Sequence, residues 1–167
     1  MVVEGRGDVM LELFSKEAPK TVAHLVALIK SKFYDGILVH RVEPGFVVQA
    51  GDPKTKTLKP QEMATLSPQR RAELRIGSGG SGKNIPFETN NKTHEKGTLG
   101  MALSQPRSAT GDSQWFINLN PNHPLDGDYC VFGRVVSGMD VVGKIRVGDR
   151  IKSMSVLPAT PKKPASK

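Results

Sequence analysis

A single cysteine in 167 residues, Cys130, excludes an internal disulfide and leaves the redox compartment open. Inside the apolar run from Tyr129 to Phe132 it reads as a small core residue rather than a nucleophile. No run of about 18 apolar residues occurs, which excludes a membrane-spanning helix. The opening MVVEGRGDVM lacks the positive segment and apolar core of a secretion signal, so a cytoplasmic protein is expected; a mature exported form reads the same once its signal is removed. Serines are scattered without a G-x-S-x-G turn, and the four histidines have no metal-ligand spacing, so neither covalent hydrolysis nor a bound metal is indicated. His24 falls on a helical pattern with no second ligand at helical spacing and reads as a satisfied or exposed histidine.

With 37% hydrophobic and 24% charged residues, the chain suits one globular domain able to bury its core without metal or disulfide support. The net charge of +8 is unevenly spread. From Pro53 to Lys83 seven Lys/Arg face two Glu, a balance of +5, and from Lys144 to Lys167 seven face one Asp, +6, leaving −3 for the remainder. A basic segment and a basic tail therefore flank a slightly acidic body. Solvated basic faces account for both, and no nucleic-acid partner is expected.

The chain is organised around Ile37 to Asp52, ILVHRVEPGFVVQAGD. Two apolar runs, Ile37 to Val42 and Phe46 to Ala50, flank a Glu43-Pro44-Gly45 turn, because proline presets the dihedral that opens a turn and glycine accepts the one that closes it. Period-two alternation sets Phe46 and Val48 on one face and Val47 and Gln49 on the other, with Arg41 free to fold back over the surface. Upstream, Val2-Val3 and Val9 to Phe14 read as strands, with Val9, Leu11 and Leu13 sharing a face. Pro19 opens a helix whose Val22, Leu25, Val26 and Ile29 recur at i, i+3, i+4 and i+7, and Gly36 follows its end. Downstream, Gly97 to Ser104, Gln114 to Leu119, Cys130 to Val136 and Ile151 to Leu157 read as strands, and Met139 to Ile145 as a short helix. Many short strands with two substantial helical patterns argue for a closed antiparallel barrel.

Two ordered blocks carry a resemblance. HRVEPGFVVQAGD, together with GTLGMALSQPRSATGDSQWFINL and PLDGDYCVFGRV, is similar to the signature of the cyclophilin-type peptidyl-prolyl cis/trans isomerases, here a bacterial-like member with an insertion. The likeness covers most of residues 1–157. It implies a mainly β fold, a closed eight-stranded antiparallel barrel capped by two α-helices, and catalysis of rotation about X-Pro bonds in folding proteins. Such rotation needs no nucleophile, metal or cofactor; it needs a donor aimed at the nitrogen that becomes pyramidal when amide resonance is lost. Arg41 matches the family's catalytic arginine and Gln49 the residue that orients it and binds the substrate carbonyl. Phe46, Val47, Phe116 and Leu125 match the apolar pocket for the proline ring. Ala102, Leu103 and Gln114 match the groove for preceding residues. Leu103 stands where many relatives have asparagine. Tyr129 stands for a histidine at the site, and Pro124 for a rim Trp or Phe, so binding of the family inhibitor cyclosporin is expected to be weak. Implied partners are proline-containing peptides and unfolded or partly folded proteins, bound by a monomer. A non-catalytic proline-binding module using the same groove is the alternative, from which intact Arg41, Phe46, Gln49 and Phe116 argue away.

The region from 53 to 82 departs most from the family and reads as an insertion in a domain spanning 1–157. Ser67-Pro68 caps a short helix over Gln69 to Arg75. The Gly77–Gly82 run is flexible by composition. Gly77 to Asn84, GSGGSGKN, nearly matches a phosphate-binding loop, but Asn84 replaces the hydroxyl, a charged segment precedes it and Pro86 follows, so nucleotide binding is not expected. The segment's basic residues are expected to favour acidic clients. Residues 158–167, PATPKKPASK, are expected to form a disordered basic tail.

Overall fold

The computed structural model describes residues 1–158. Of the expected disordered tail, 158–167, all but Pro158 lies outside the described residues. Short strands dominate: β1 (Val2–Val3), β2 (Gly7–Asp8), β3 (Met10–Leu13), β4 (Arg41–Glu43), β5 (Val47–Ala50), β6 (Thr98–Met101), β7 (Trp115–Asn118), β8 (Val131–Ser137) and β9 (Ile151–Ser153). They pair antiparallel in a six-stranded sheet, β3-β8-β6-β7-β5-β4, and a three-stranded sheet, β2-β1-β9. The expected single run of eight strands is thus divided into two paired sets. Backbone bonds from Val39 N to Asp149 O (2.8 Å) and from Ile151 N to Ile37 O (2.8 Å) join the smaller sheet to the chain that enters β4.

The amphipathic helix forms where its spacing predicts, as α1 (Pro19–Lys30), with Val22, Leu25 and Ile29 buried. Proline at the first turn costs nothing because that N–H has no helical partner. The next two N–H groups, of Lys20 and Thr21, donate to the Glu88 carboxylate at 2.9 and 2.7 Å. A remote side chain thereby caps the helix and complements the positive end of its dipole. The buried face of α1 packs with Val9, Val48, Leu99, Met101, Trp115 and Ile117 in one core. Each such side chain, fully buried, contributes about 1.5–3 kcal/mol. The predicted second helix is a short one, α4 (Met139–Lys144).

Residues 53–82 carry more structure than one short helix. A 3-10 turn over Pro53–Thr57 is followed by α2 (Pro60–Thr65) and α3 (Pro68–Glu73). The Ser67 side chain accepts from Arg70 N and Pro68 fills the first helical position, as the sequence predicts. The two helices bury Leu58 and Met63 against Leu38, with Leu66, Leu74, Ile76 and Val147 around them, a small core beside the main one.

The glycine run is held by specific bonds, contrary to its composition. Gly77 N donates to Asp52 Oδ2 at 2.6 Å and Gly82 N to Asp112 Oδ2 at 3.0 Å. The same two carboxylates lie where a Cβ on Gly79 or Gly80 would stand. These glycines serve close approach rather than chain freedom. The N–H groups of Gly77 and Gly82 are taken by carboxylates, and a non-helical chain leads to Pro86 where a phosphate-binding loop would open a helix.

Candidate functional site

Strand pairing assembles the site on the outer face of the large sheet. On β5 and β7, Val48, Ala50, Trp115 and Ile117 point into the core, so the alternate residues point away from it. Arg41 pairs with Gln49, Gln49 with Phe116, and Phe116 with Gly100, giving one row across β4, β5, β7 and β6. Arg41 Nη1 donates to Gln49 Oε1 at 3.3 Å and Nε to Glu43 Oε1 at 3.5 Å. Gln49 Nε2 in turn donates to Gln114 Oε1 at 3.1 Å. The cation is thus oriented by a half-buried neutral amide and an exposed carboxylate, while 46% of its side chain remains open to solvent.

Phe46 departs from the expected alternation. It precedes β5, in the turn where Phe46 N donates to Glu43 O at 2.9 Å, so strand parity does not govern its ring. The ring centroid lies 5.8 Å beneath the Arg41 guanidinium carbon, on the functional side. Val47 is buried and pairs with Asn118 outside the main core.

Phe116 is walled by rings on two sides. His94 stacks on it at a centroid distance of 5.6 Å and an interplanar angle of 16°, and Tyr129 meets it edge-on at 6.1 Å. Leu125 ends a 3-10 turn and accepts from Tyr129 N at 3.2 Å, which ties these two predicted residues together. His94 is fully buried: Nε2 contacts Tyr129 O at 3.1 Å and Nδ1 contacts Asn118 Nδ2 at 3.0 Å. Those partners require the proton on Nε2 and a lone pair on Nδ1, and burial holds the ring below its ordinary pKa. Nothing in local spacing marks His94 or Gly100; both reach the site through pairing with distant strands.

Beside the row, Gln49, Ala102, Leu103 and Gln114 line an open cleft of about 460 Å³, closed on its far side by the backbone of Gly77–Gly80. Gln114 Nε2 donates to the carbonyls of Gly77 (2.9 Å) and Gly79 (2.8 Å), fixing that wall. Leu103 also packs against the core, so this position combines lining and packing. Of the ten residues proposed from sequence, Gln49, Ala102, Leu103 and Gln114 line the cleft, Arg41 lies over Phe46, Phe116 meets Tyr129, whose backbone bonds to Leu125, and Val47 is buried beside Asn118.

Other reactive groups lie apart. His24 contacts Asp112 at 3.2 Å, the carboxylate that holds Gly82, and so is a satisfied histidine. Burial raises the Cys130 thiol to about 11, which leaves it protonated and inert at neutral pH. Among the described residues, no group of three or more His, Cys, Asp or Glu gathers as a metal site, and no helix is long and apolar enough to cross a membrane.

Comparison with known proteins gives the family of the chain. The family described as "Cyclophilin type peptidyl-prolyl cis-trans isomerase/CLD" matches residues 1–162. A protein of Brucella suis named "Probable peptidyl-prolyl cis-trans isomerase" is 41% identical over 152 residues, covering 90% of this chain and 72% of its own. A "Peptidyl-prolyl cis-trans isomerase" of Synechococcus elongatus is 37% identical over 154 residues, covering 91% of each. The crystal structure of a cyclophilin-type isomerase of Cryptosporidium parvum in the presence of the dipeptide Ala-Pro is similar at a TM-score of 0.68 and 25% identity, covering 88% of this chain and 87% of that one.

Proposed function

The chain belongs to the cyclophilin-type peptidyl-prolyl cis-trans isomerases, and on that premise we propose how its residues rotate an X-Pro bond. The barrier of about 18–20 kcal/mol is the loss of amide resonance. As the bond twists, the nitrogen becomes pyramidal and gains a lone pair that neither planar isomer has. Arg41 donates to that lone pair, so its interaction is stronger in the transition state than in either ground state. Its permanent charge suits the task at any physiological pH.

Phe46, Val47, Phe116, Leu125 and Tyr129 receive the proline ring and anchor one side of the bond. Gln49 orients Arg41 and donates to the substrate carbonyl. Ala102, Leu103 and Gln114 take the residues before proline in the adjoining cleft. The observation that carries this reading is the single cross-strand row Arg41–Gln49–Phe116, which sets an exposed cation, a half-buried amide and a buried aromatic ring side by side on one face of the sheet. The substrates are exposed X-Pro bonds of unfolded or partly folded proteins, and the Ala-Pro present with the Cryptosporidium relative supports proline-containing peptides as ligands.

The two sheets are read as arcs of one closed eight-stranded barrel capped by α1 and α4. Two features support it: β2 and β3 are separated by one residue and count as one bent strand, and the bonds between 36–39 and 148–151 bridge the other seam.

A protease-coupled assay on a short X-Pro peptide, with peptide binding measured in parallel, tests the function. Acceleration of isomerisation is expected; tight peptide binding without acceleration would establish the non-catalytic module instead.

A further inference from the structure

The segment 53–82 bonds to the neighbours of the Arg41–Gln49 pair at two points, the His40 carbonyl and the Gln114 amide, and the first bond is made by an arginine turned inward. Arg71, on α3, is half-buried, and no carboxylate pairs with it among the described residues. Its guanidinium bonds to three backbone carbonyls: Nη1 to His40 O at 2.7 Å, Nη2 to Met63 O at 3.2 Å and Nε to Leu66 O at 3.4 Å. Two of these hold α2 to α3. The shortest leaves the segment and ends on the peptide that enters Arg41.

That peptide lies where the chain changes partners. Val39 bonds to the β9 side through Asp149 and Gly148, whereas Arg41 pairs with Gln49 on β5. His40 is the single residue between, and neither nitrogen of its buried ring finds a partner among the described residues. The side chain of Arg41 has the Phe46 ring beneath it and only long hydrogen bonds of 3.3 and 3.5 Å, so its place depends also on its backbone. The second point of contact is the relay from Arg41 through Gln49 and Gln114 to the carbonyls of Gly77 and Gly79.

We propose that residues 53–82 brace the catalytic guanidinium and that Arg71 is a positioning residue for isomerisation, acting through the His40 carbonyl on Arg41. This goes beyond a segment that merely selects clients, and it rests on the reading of Arg41 as the donor to the twisted nitrogen. A charged donor on a carbonyl is stronger than a neutral one, and it holds a strand start that side-chain contacts of Arg41 leave loose. Displacing a catalytic group by a fraction of an ångström lowers turnover more than it lowers ground-state binding.

The test compares wild type, Arg71→Ala, Arg71→Lys, Arg41→Ala and the Arg41→Ala/Arg71→Ala double variant, by exchange NMR on an X-Pro peptide at high enzyme concentration and by thermal unfolding. Arg71→Ala is expected to lower kcat by about tenfold with KM changed less than about twofold. Arg71→Lys should recover part of the loss, since an ammonium still reaches one carbonyl. In the Arg41→Ala background, Arg71→Ala should have no further effect on the residual rate. Unchanged kcat in Arg71→Ala, or the same fold-loss in both backgrounds, overturns the brace. If Arg71→Ala does not fold, Arg71→Lys decides alone: a reduced kcat at constant KM supports the brace and wild-type turnover overturns it. Near-normal turnover in Arg41→Ala itself would instead overturn the underlying reading of the site.

Discussion

Gly100 and Phe116 face one another across β6 and β7 so closely that the aromatic ring occupies the space a Cβ on Gly100 would need. The place of the Phe116 ring therefore requires an absent side chain as much as a present one. Gly100→Ala should push the ring off its stack with His94, costing about 1–3 kcal/mol of stability by overpacking and weakening peptide binding. Denaturant unfolding and peptide titration check it. A variant with wild-type affinity would mean that the ring does not wall the proline site.

Arg41→Ala should remove most isomerase activity and leave stability within about 0.5 kcal/mol, because a half-exposed side chain with long contacts contributes little to folding. Turnover and thermal unfolding of the same preparation separate the two effects. A large loss of stability would reassign Arg41 to the scaffold.

Acid should destabilise the fold through His40. Burial lowers its pKa from 6.5 to about 4, so between those values the unfolded chain binds a proton that the folded one refuses. The stability is complete above about pH 6.5 and declines as pH falls toward 4, by up to about 3 kcal/mol for this group. His94 is shifted in the same direction. Denaturant midpoints at pH 7.5 and 4.5 should differ less in His40→Gln than in wild type; parallel losses would acquit His40.

Pro124 lies exposed next to Leu125, at the position where the family resemblance implies an aromatic ring. Without an indole donor and its apolar face, cyclosporin should lose one hydrogen bond, about 0.5–1.5 kcal/mol, and an aromatic contact of similar size. Affinity should then be at least about tenfold, and up to about a hundredfold, below that of Pro124→Trp, with turnover little changed. Equal, tight inhibition of both proteins would refute the role given to this position.

Much of this arrangement is written locally. The spacing of Val22, Leu25 and Ile29 specifies α1, and Arg41 and Gln49 meet because one tight turn sets their register. What is not legible depends on chain segments far apart. Gly100 and His94 join the site through pairing and stacking that no spacing within their own segments reveals. The Gly77–Gly82 run looks like a flexible loop until Asp52 and Asp112 are seen against its backbone. α2 starts at Pro60 behind Lys59, without the Ser, Thr, Asp or Asn that would announce it. Phe46 escapes the alternation rule because it stands one residue outside β5.

The pairing of β1 with β9 sets the order in which the protein can be built. Val2 waits for Ser153 and Glu12 waits for Arg134, so the opening hairpin leaves the ribosome with its outer edges unmatched. At about 5–20 residues per second, roughly 8 to 30 s pass before its last partner is synthesised. Through that interval β1 and β3 are open templates for any other strand. Non-local closure of this kind is also slow once the chain is complete. An isomerase of X-Pro bonds is thus itself dependent on delayed pairing, and until that pairing β1 and β3 are where contact with other unfinished chains would do most harm.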